Sequence, residues 1–274
     1  MTRDEASAAW LHRALAAPAA ALFAAFWLLP MAALGRASAQ HGLQGYLHIL
    51  GNAQYLRSLG VTVLLAGAVT VAALALSLVA GLFLARHLFP GRRLLMAMLT
   101  LPLAFPGVVV GFMVIMLGGR MGLAAQLGLA LFGQRWVFAY SLGGLFVGYL
   151  YFSIPRVILT VTAAAQGLDA SVEEAARSLG ASSWQVLRDV TLPALAPALV
   201  ASGALCFATA VGAFGTAFTL ATDIDVLPMD IYTAFTLNAD LPTAATWSLV
   251  LGAVTWLVLW WGEGAGGPTA APGA

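Results

Sequence analysis

Residues 168–197, LDASVEEAARSLGASSWQVLRDVTLPALAP, interrupt a chain that is otherwise apolar. The interval holds Asp169, Glu173, Glu174 and Asp189, four of the eleven acidic residues, and its spacing is that of helices. Ser171 followed by Glu174 reads as a capping box, in which the hydroxyl accepts from an amide three residues on and the carboxylate reaches back. Glu173 and Glu174 suit the N-terminal end of a helix dipole, and Arg177 suits the other end. Ala175, Ala176 and Leu179 add helix propensity and a small apolar face. Gly180 stands where a left-handed C-terminal residue belongs. The pattern then repeats: Ser182 and Gln185 form a second capping box ahead of Trp184, Val186, Leu187 and Val190. Pro193 and Pro197 mark the start of the next long helix. The segment therefore reads as helix, glycine turn, short helix and return into the membrane, a docking surface rather than a linker.

Glu174-Ala175-Ala176, then Gly180, then Val190-Thr191-Leu192-Pro193 resemble the EAA motif of ABC importer permeases, EAA-x3-G-x9-I-x-LP. Both spacings match, and Val190 replaces the usual isoleucine. The likeness extends over about Val61 to Trp261. It implies an all-α polytopic membrane protein of the type I, MetI-like permease fold, with six transmembrane helices and cytoplasmic coupling helices. By the same resemblance, Glu174, Ala175, Ala176, Gly180, Leu192 and Pro193 form the coupling segment, capped at Ser171 and Ser182, which seats in a cleft of a separate ATPase. Glu174 is left open between pairing with a base on that ATPase and completing its own cap. The implied partners are a cytoplasmic ABC ATPase dimer, a second permease subunit of a different chain, and a periplasmic or extracellular substrate-binding protein. The competing reading is an ordinary cytoplasmic loop with well-capped helices, which does not require the glycine and Leu-Pro spacings.

Composition points the same way. The chain has 274 residues, 61% of them hydrophobic and 8% charged, whereas about a quarter of a soluble domain is charged. All twelve basic residues are arginine. A Walker A loop needs a lysine against the phosphates, so no nucleotide site is expected here; ATP and Mg belong to the partner ATPase. The chain is thus not read as an enzyme, and no cofactor is expected on it. A net charge of +1 gives no reason to expect nucleic acid. His12, His41, His48 and His87 are scattered, so neither a metal site nor a catalytic cluster is predicted. Cys206 falls inside a span and reads as a buried free thiol.

Taken in order, residues 1–13 form a short cytoplasmic N-terminus and 14–261 the transmembrane domain, with the permease core at about 61–261 and the coupling segment at 168–193. A disordered tail covers 262–274. The spans expected are about 14–34, 59–85, 94–117, 136–161, 194–221 and 243–261. A secretory signal competes for the first, since Ala37-Ser38-Ala39 resembles a cleavage site, but the apolar run exceeds an h-region of about 7–15 residues. Pro102 and Pro106 predict a kink or unwound turn in the third span, consistent either with a place beside the pathway or with packing alone. Leu123–Phe132 reads as a surface or re-entrant helix. Gly144 and Gly148 form a small-xxx-small pair for close helix approach. Trp256, Trp260 and Trp261 form an interfacial aromatic belt.

Arginines give the orientation. With the N-terminus inside, Arg3, Arg13, Arg86, Arg92, Arg93, Arg156, Arg177 and Arg188 are cytoplasmic, against Arg36, Arg57, Arg120 and Arg135 opposite. Six spans with both termini cytoplasmic in a bacterial inner membrane, amid its lipid, follow as the expectation. The resemblance also makes Phe214, Thr216 and Tyr232 pathway candidates, in a segment similar to permeases for polyamines, ferric iron, thiamine and phosphonates. Asp223, Asp225, Asp230 and Asp240 form a negative external mouth that favours a polyamine or other small cation. The alternatives are ferric iron, thiamine, phosphonate or sulfate and, in a different class, a secondary transporter or channel, which normally shows intramembrane ionisable groups.

Overall fold

The computed structural model describes residues 15, 17–40, 42–220 and 224–266, and helix is the only regular structure among them. In chain order the helices are α1 (Ala17–Ser38), α2 (Gly42–Leu50), α3 (Ala53–Arg86), α4 (Arg92–Thr100), α5 (Gly107–Gly118), α6 (Leu123–Phe132), α7 (Leu142–Gln166), α8 (Ala170–Ser178), α9 (Ser183–Val211), α10 (Phe214–Leu220), α11 (Leu227–Tyr232) and α12 (Leu241–Gly266). Six stretches are long and apolar enough to cross a membrane: α1, α3, α5 with α6, α7, α9 and α12. The expected count of spans stands, while their boundaries move by several residues, most tellingly in the third, fifth and sixth.

The third span breaks where its prolines fall. Helix α4 ends at Thr100, a single 3₁₀ turn covers Leu101–Ala104, and Phe105 is extended, as a residue before proline prefers. Pro106 then caps α5. The carbonyls that the prolines free are taken locally, Met98 O by the Leu101 amide and Pro102 O by the Phe105 amide at 3.3 Å, while Thr216 Oγ1 of α10 donates to Gly107 O at the start of α5 at 3.0 Å. The approach of α10 to α5 is close because Gly111 has no side chain; a Cβ there would lie 2.5 Å from Thr219 Cβ.

The fifth span starts earlier than its prolines suggest. The second short helix is continuous with it, joined through a π-helical turn at Leu187–Thr191, and Pro193 sits in the first turn beyond. A wide turn just before a proline absorbs the hydrogen bond that proline cannot donate. The helix that holds the sixth span, Leu241–Gly266, runs past the expected tail boundary. The N-terminal segment 1–13, Asp223 and residues 267–274 lie outside the described residues.

Contacts divide the chain into two units. In the unit of Arg57–Asp230 with Leu251–Ala274, the core gathers Ala66, Val69 and Ala73 of α3, Leu145, Tyr149 and Val157 of α7, and Cys206, Phe207 and Ala210 of α9. Alanines such as Ala66, Ala73 and Ala210 sit among the larger side chains, as suits helices that associate by close approach where lipid supplies no hydrophobic drive. Hydrogen bonds add to that packing: Ser77 Oγ donates to Ile154 O at 3.2 Å and Thr162 Oγ1 to Gly81 O at 3.3 Å, both from one span to another. Gly148 admits Thr216 Cγ2, which would lie 2.8 Å from an added Cβ, so this half of the small-xxx-small pair is a helix contact. In the unit of Met1–Leu56 with Ile231–Val250, the ring of Tyr55 stacks on the buried Trp247 at 5.4 Å. Large apolar side chains such as Leu64, Val71, Phe112 and Met116 remain exposed along the spans, as do Trp256, Trp260 and Trp261. Hydrocarbon or a neighbouring subunit is the medium that suits such a surface.

Candidate functional site

Helix α8 and the start of α9 form a polar knob whose geometry follows from a few local hydrogen bonds. Asp169 is the N-cap of α8: its carboxylate accepts from the Ser171 amide at 2.9 Å, which holds it below the usual carboxylate range. The cap expected at Ser171 is therefore corrected to Asp169, because the helix begins one residue before Ser171. The second capping box is present as read, with Ser182 Oγ accepting from Gln185 N at 3.3 Å and Gln185 Oε1 from Ser182 N at 2.7 Å.

Between the two helices Gly180 has φ +87°. Its amide donates to Arg177 O at 3.0 Å, and the next amide, Ala181 N, donates to Ala176 O at 3.1 Å. That pair of bonds is a Schellman closure, which requires a left-handed residue. A Cβ at Gly180 meets nothing within 4 Å, so glycine is required there by backbone conformation and not by internal crowding. Leu179, 90% exposed, and Trp184 project from the knob, and a recess of about 320 Å³ beside Leu179 is lined by Ala176, Gly180, Gln185 and Asp189.

The two adjacent glutamates differ. Glu174 is exposed, and its carboxylate makes no hydrogen bond or ion pair among the described residues, so its cap role is removed. Glu173 is the engaged one. Its Oε1 pairs with Arg86 Nη2 at the end of α3 and accepts from Thr191 Oγ1 at 2.7 Å; its Oε2 pairs with Arg177 Nη2 at 3.1 Å. Arg86 Nη2 also donates to Thr191 Oγ1 at 3.2 Å. Sequence reading missed this cluster. Its one local signal is the i,i+4 spacing of Glu173 and Arg177, whereas Arg86 lies 87 positions away.

Of the motif residues, Ala175 and Gly180 are exposed, Ala176 is half-buried, and Leu192 and Pro193 open the long part of α9. The pathway candidates are not equivalent. Thr216 is fully buried, and its hydroxyl serves the Gly107 carbonyl. Phe214 and Tyr232 are half-buried, and Phe214 tilts against Phe218 at 5.4 Å. A recess of about 930 Å³ opens elsewhere, between α5, α6 and α7, with Met113, Leu117, Arg120, Gln126, Tyr140 and Tyr151 in its lining. Arg120 is exposed there and has no ion pair among the described residues.

The acidic loop is partly internal. Burial pushes the Asp230 carboxyl above the ordinary range and the charge of Asp225 pushes it the same way, while the Ser58 hydroxyl opposes them. Asp240 is occupied as a cap, accepting from Thr243 N at 3.1 Å. Among the described residues no group of three His, Cys, Asp or Glu side chains could hold a metal ion, and Cys206 is buried and free.

Comparison with known proteins bears on the chain as a whole. The chain is 34% identical over 236 residues to the sulfate transport system permease protein CysT of Escherichia coli, covering 85% of this chain and 84% of that protein. It is 35% identical over 179 residues to the molybdenum transport system permease protein ModB of the same organism, covering 62% and 77%. It is also 34% identical over 206 residues to chloroplastic sulfate permease 2 of Chlamydomonas reinhardtii, covering 75% of this chain but only 55% of that relative's length. Among solved structures, a subunit of a bacterial alginate ABC transporter, crystallised with an alginate-bound periplasmic protein, superposes with a TM-score of 0.81 at 17% identity over 99% of both chains. At that identity the likeness speaks for the fold alone. Residues 77–262 match the family described as the binding-protein-dependent transport system inner membrane component, and the chain belongs to that family of ABC importer permeases.

Proposed function

We propose that this permease imports a tetrahedral oxyanion of the sulfate–molybdate class, driven by ATP hydrolysed on a separate subunit that seats on α8 and the start of α9. The observation that carries the docking half is the knob itself: closed by a Schellman turn, capped at both helices, and presenting Leu179, Trp184 and an unengaged Glu174 outward. A rigid projection with an unpaired charge suits capture by a basic partner surface better than it suits a solvated loop. ATP binding then biases a two-state equilibrium of the spans through this contact. Two permeases, an ATPase dimer and an external binding protein make the working assembly, with both termini on the ATPase side.

The substrate half rests on the relatives, which are sulfate and molybdenum permeases; dissolved molybdenum is the molybdate dianion, close in shape and charge to sulfate. The earlier expectation of a polyamine gains nothing from them. Two of the four acids that favoured a cation have local roles, since Asp240 caps a helix and Asp230 is half-buried. The recess between α5 and α7 offers the complementary sign through Arg120, with the phenols of Tyr140 and Tyr151 as donors. We assign it as the pathway wall of this subunit, in preference to the buried Thr216. Uptake of labelled sulfate and molybdate, set against spermidine and putrescine, tests the reading. Accumulation of either oxyanion is the expected result, and accumulation of a polyamine with neither oxyanion overturns it.

A further inference from the structure

The docking reading leaves a mechanical question: what joins the knob to the spans it must move? Helix α8 is tethered by Gly167-Leu168 on one side and by the turn at Leu179–Ala181 on the other. It has no buried residue of its own. A short helix on two tethers can swing without taking anything with it, unless a stiffer contact fixes it.

We infer that Glu173, and not the neighbouring motif residue Glu174, is the positioning residue that carries motion of the knob into the membrane helices. Its side chain is 13% exposed although its helix lies on the surface. The carboxylate faces three donors from three elements: Arg86 at the C-terminus of α3, Arg177 one turn on in α8, and Thr191 in the π-helical turn of α9. Thr191 is fully buried, so its hydroxyl is held in place by the packing of α9. Arg86 closes the triangle by donating to that hydroxyl as well. Charge-assisted bonds of this kind are short, directional and about twice as strong as neutral ones. With Glu173 at the vertex, α8 is fixed to two spans that are far apart in sequence, so a displacement of α8 moves the end of α3 and the wide turn of α9 together. Thr191 itself lies in the π turn, and single π turns within α-helices recur at functional sites.

This inference rests on the docking reading, so its test separates the two. The full assembly of permeases, ATPase and binding protein, reconstituted in vesicles, is assayed for substrate uptake and ATP hydrolysis side by side. Glu173→Gln keeps the shape and removes the charge. The ATPase is expected to co-purify as with wild type and to go on hydrolysing ATP, while uptake per ATP falls by about tenfold, inside the 5–150-fold range of coupling between sites. Arg86→Gln, placed in a different helix, is expected to give the same loss, and it reports on the same contact if the Glu173 variant accumulates poorly. The double variant is expected to be no worse than either single one, because both remove one interaction. Thr191→Val should shift the ratio in the same direction by less. Wild-type uptake per ATP in both single variants, or additive losses in the double, overturns the inference. Failure of any ATPase to bind the wild-type permease overturns the docking reading instead.

Discussion

Residues 168–191 and residues 224–242 are both polar intervals between apolar helices, yet charge is managed differently in each. In the first, Asp169 and Ser182 cap helices three or fewer positions away, Glu173 is matched by two arginines, and Glu174 is presented outward. In the second there is no base; Asp230 is half-buried with one carboxylate oxygen lacking a hydrogen-bond partner among the described residues, and the Leu227 amide is satisfied by Thr62 of α3, 165 positions earlier. The first interval is built mostly from local bonds, with Glu173–Arg86 as a long-range tie to α3, and is thereby able to act as a rigid body against another protein. The second takes its shape from helices it packs on, so its charges say little about what passes by it.

The sharpest way to break that contrast is at Gly180. Gly180→Asp places a β-carbon on a residue at φ +87°, a conformation that costs an L-residue about 1–2 kcal/mol, and adds charge beside the recess that the knob presents. Uptake is expected to disappear while the chain still inserts in the membrane, read by transport assay and by membrane-fraction immunoblot. Gly180→Asn sharpens the point, because asparagine and aspartate both tolerate the left-handed region and differ here in charge. The asparagine variant should retain much of the uptake, and loss equal to that of the aspartate variant would show that the mere presence of a side chain at the seat, not its charge, sets the requirement.

The same distinction decides what could be read from sequence. Ser182, Gln185 and Gly180 were legible because their partners lie within a few positions and their residue types have few other uses. Ser171 misled for a related reason: Asp169 and Ser171 both suit an N-cap, and only the helix start at Ala170 chooses between them. Glu173 was hidden because its main partners, Arg86 and Thr191, are brought near by tertiary packing. The unwound turn at Pro102 and Pro106 was legible as a break, but not the contact of Thr216 with the start of α5 beyond it. Thr216, a pathway candidate by resemblance, is fully buried with its hydroxyl on the Gly107 carbonyl, a partner 109 positions away that no local pattern announces.

A second prediction moves to that long-range packing. Gly148→Leu drives a side chain into Thr216 Cγ2, already 2.8 Å from where a Cβ would stand. Overpacking of this sort costs about 1–3 kcal/mol. The variant is expected to lower the thermal midpoint of the detergent-purified protein and to reduce its yield, with no change in the ratio of uptake to ATP hydrolysis for the protein that folds. A changed ratio at normal stability would mean that α7 and α10 transmit motion and do not merely hold the fold.

The smallest effects should come from the caps, and they separate the two serines. Replacing an N-cap by alanine costs roughly 0.5–2 kcal/mol. Asp169→Ala and Ser182→Ala are each expected to fall in that range, seen as faster hydrogen exchange of the α8 amides for the first and of the Gln185 amide for the second. Ser171→Ala should leave exchange in α8 unchanged, since the Ser171 side chain does not cap this helix. Slower exchange on removing Ser171 is also unexpected, because alanine gains only its small advantage in helix propensity there. If instead Ser171→Ala loosens α8 as much as Asp169→Ala does, the helix starts at Ser171 in the membrane, and Glu174 returns to its own cap. Glu174 would then no longer be free for a partner, and the knob would lose the one unpaired charge that marks it as a docking surface.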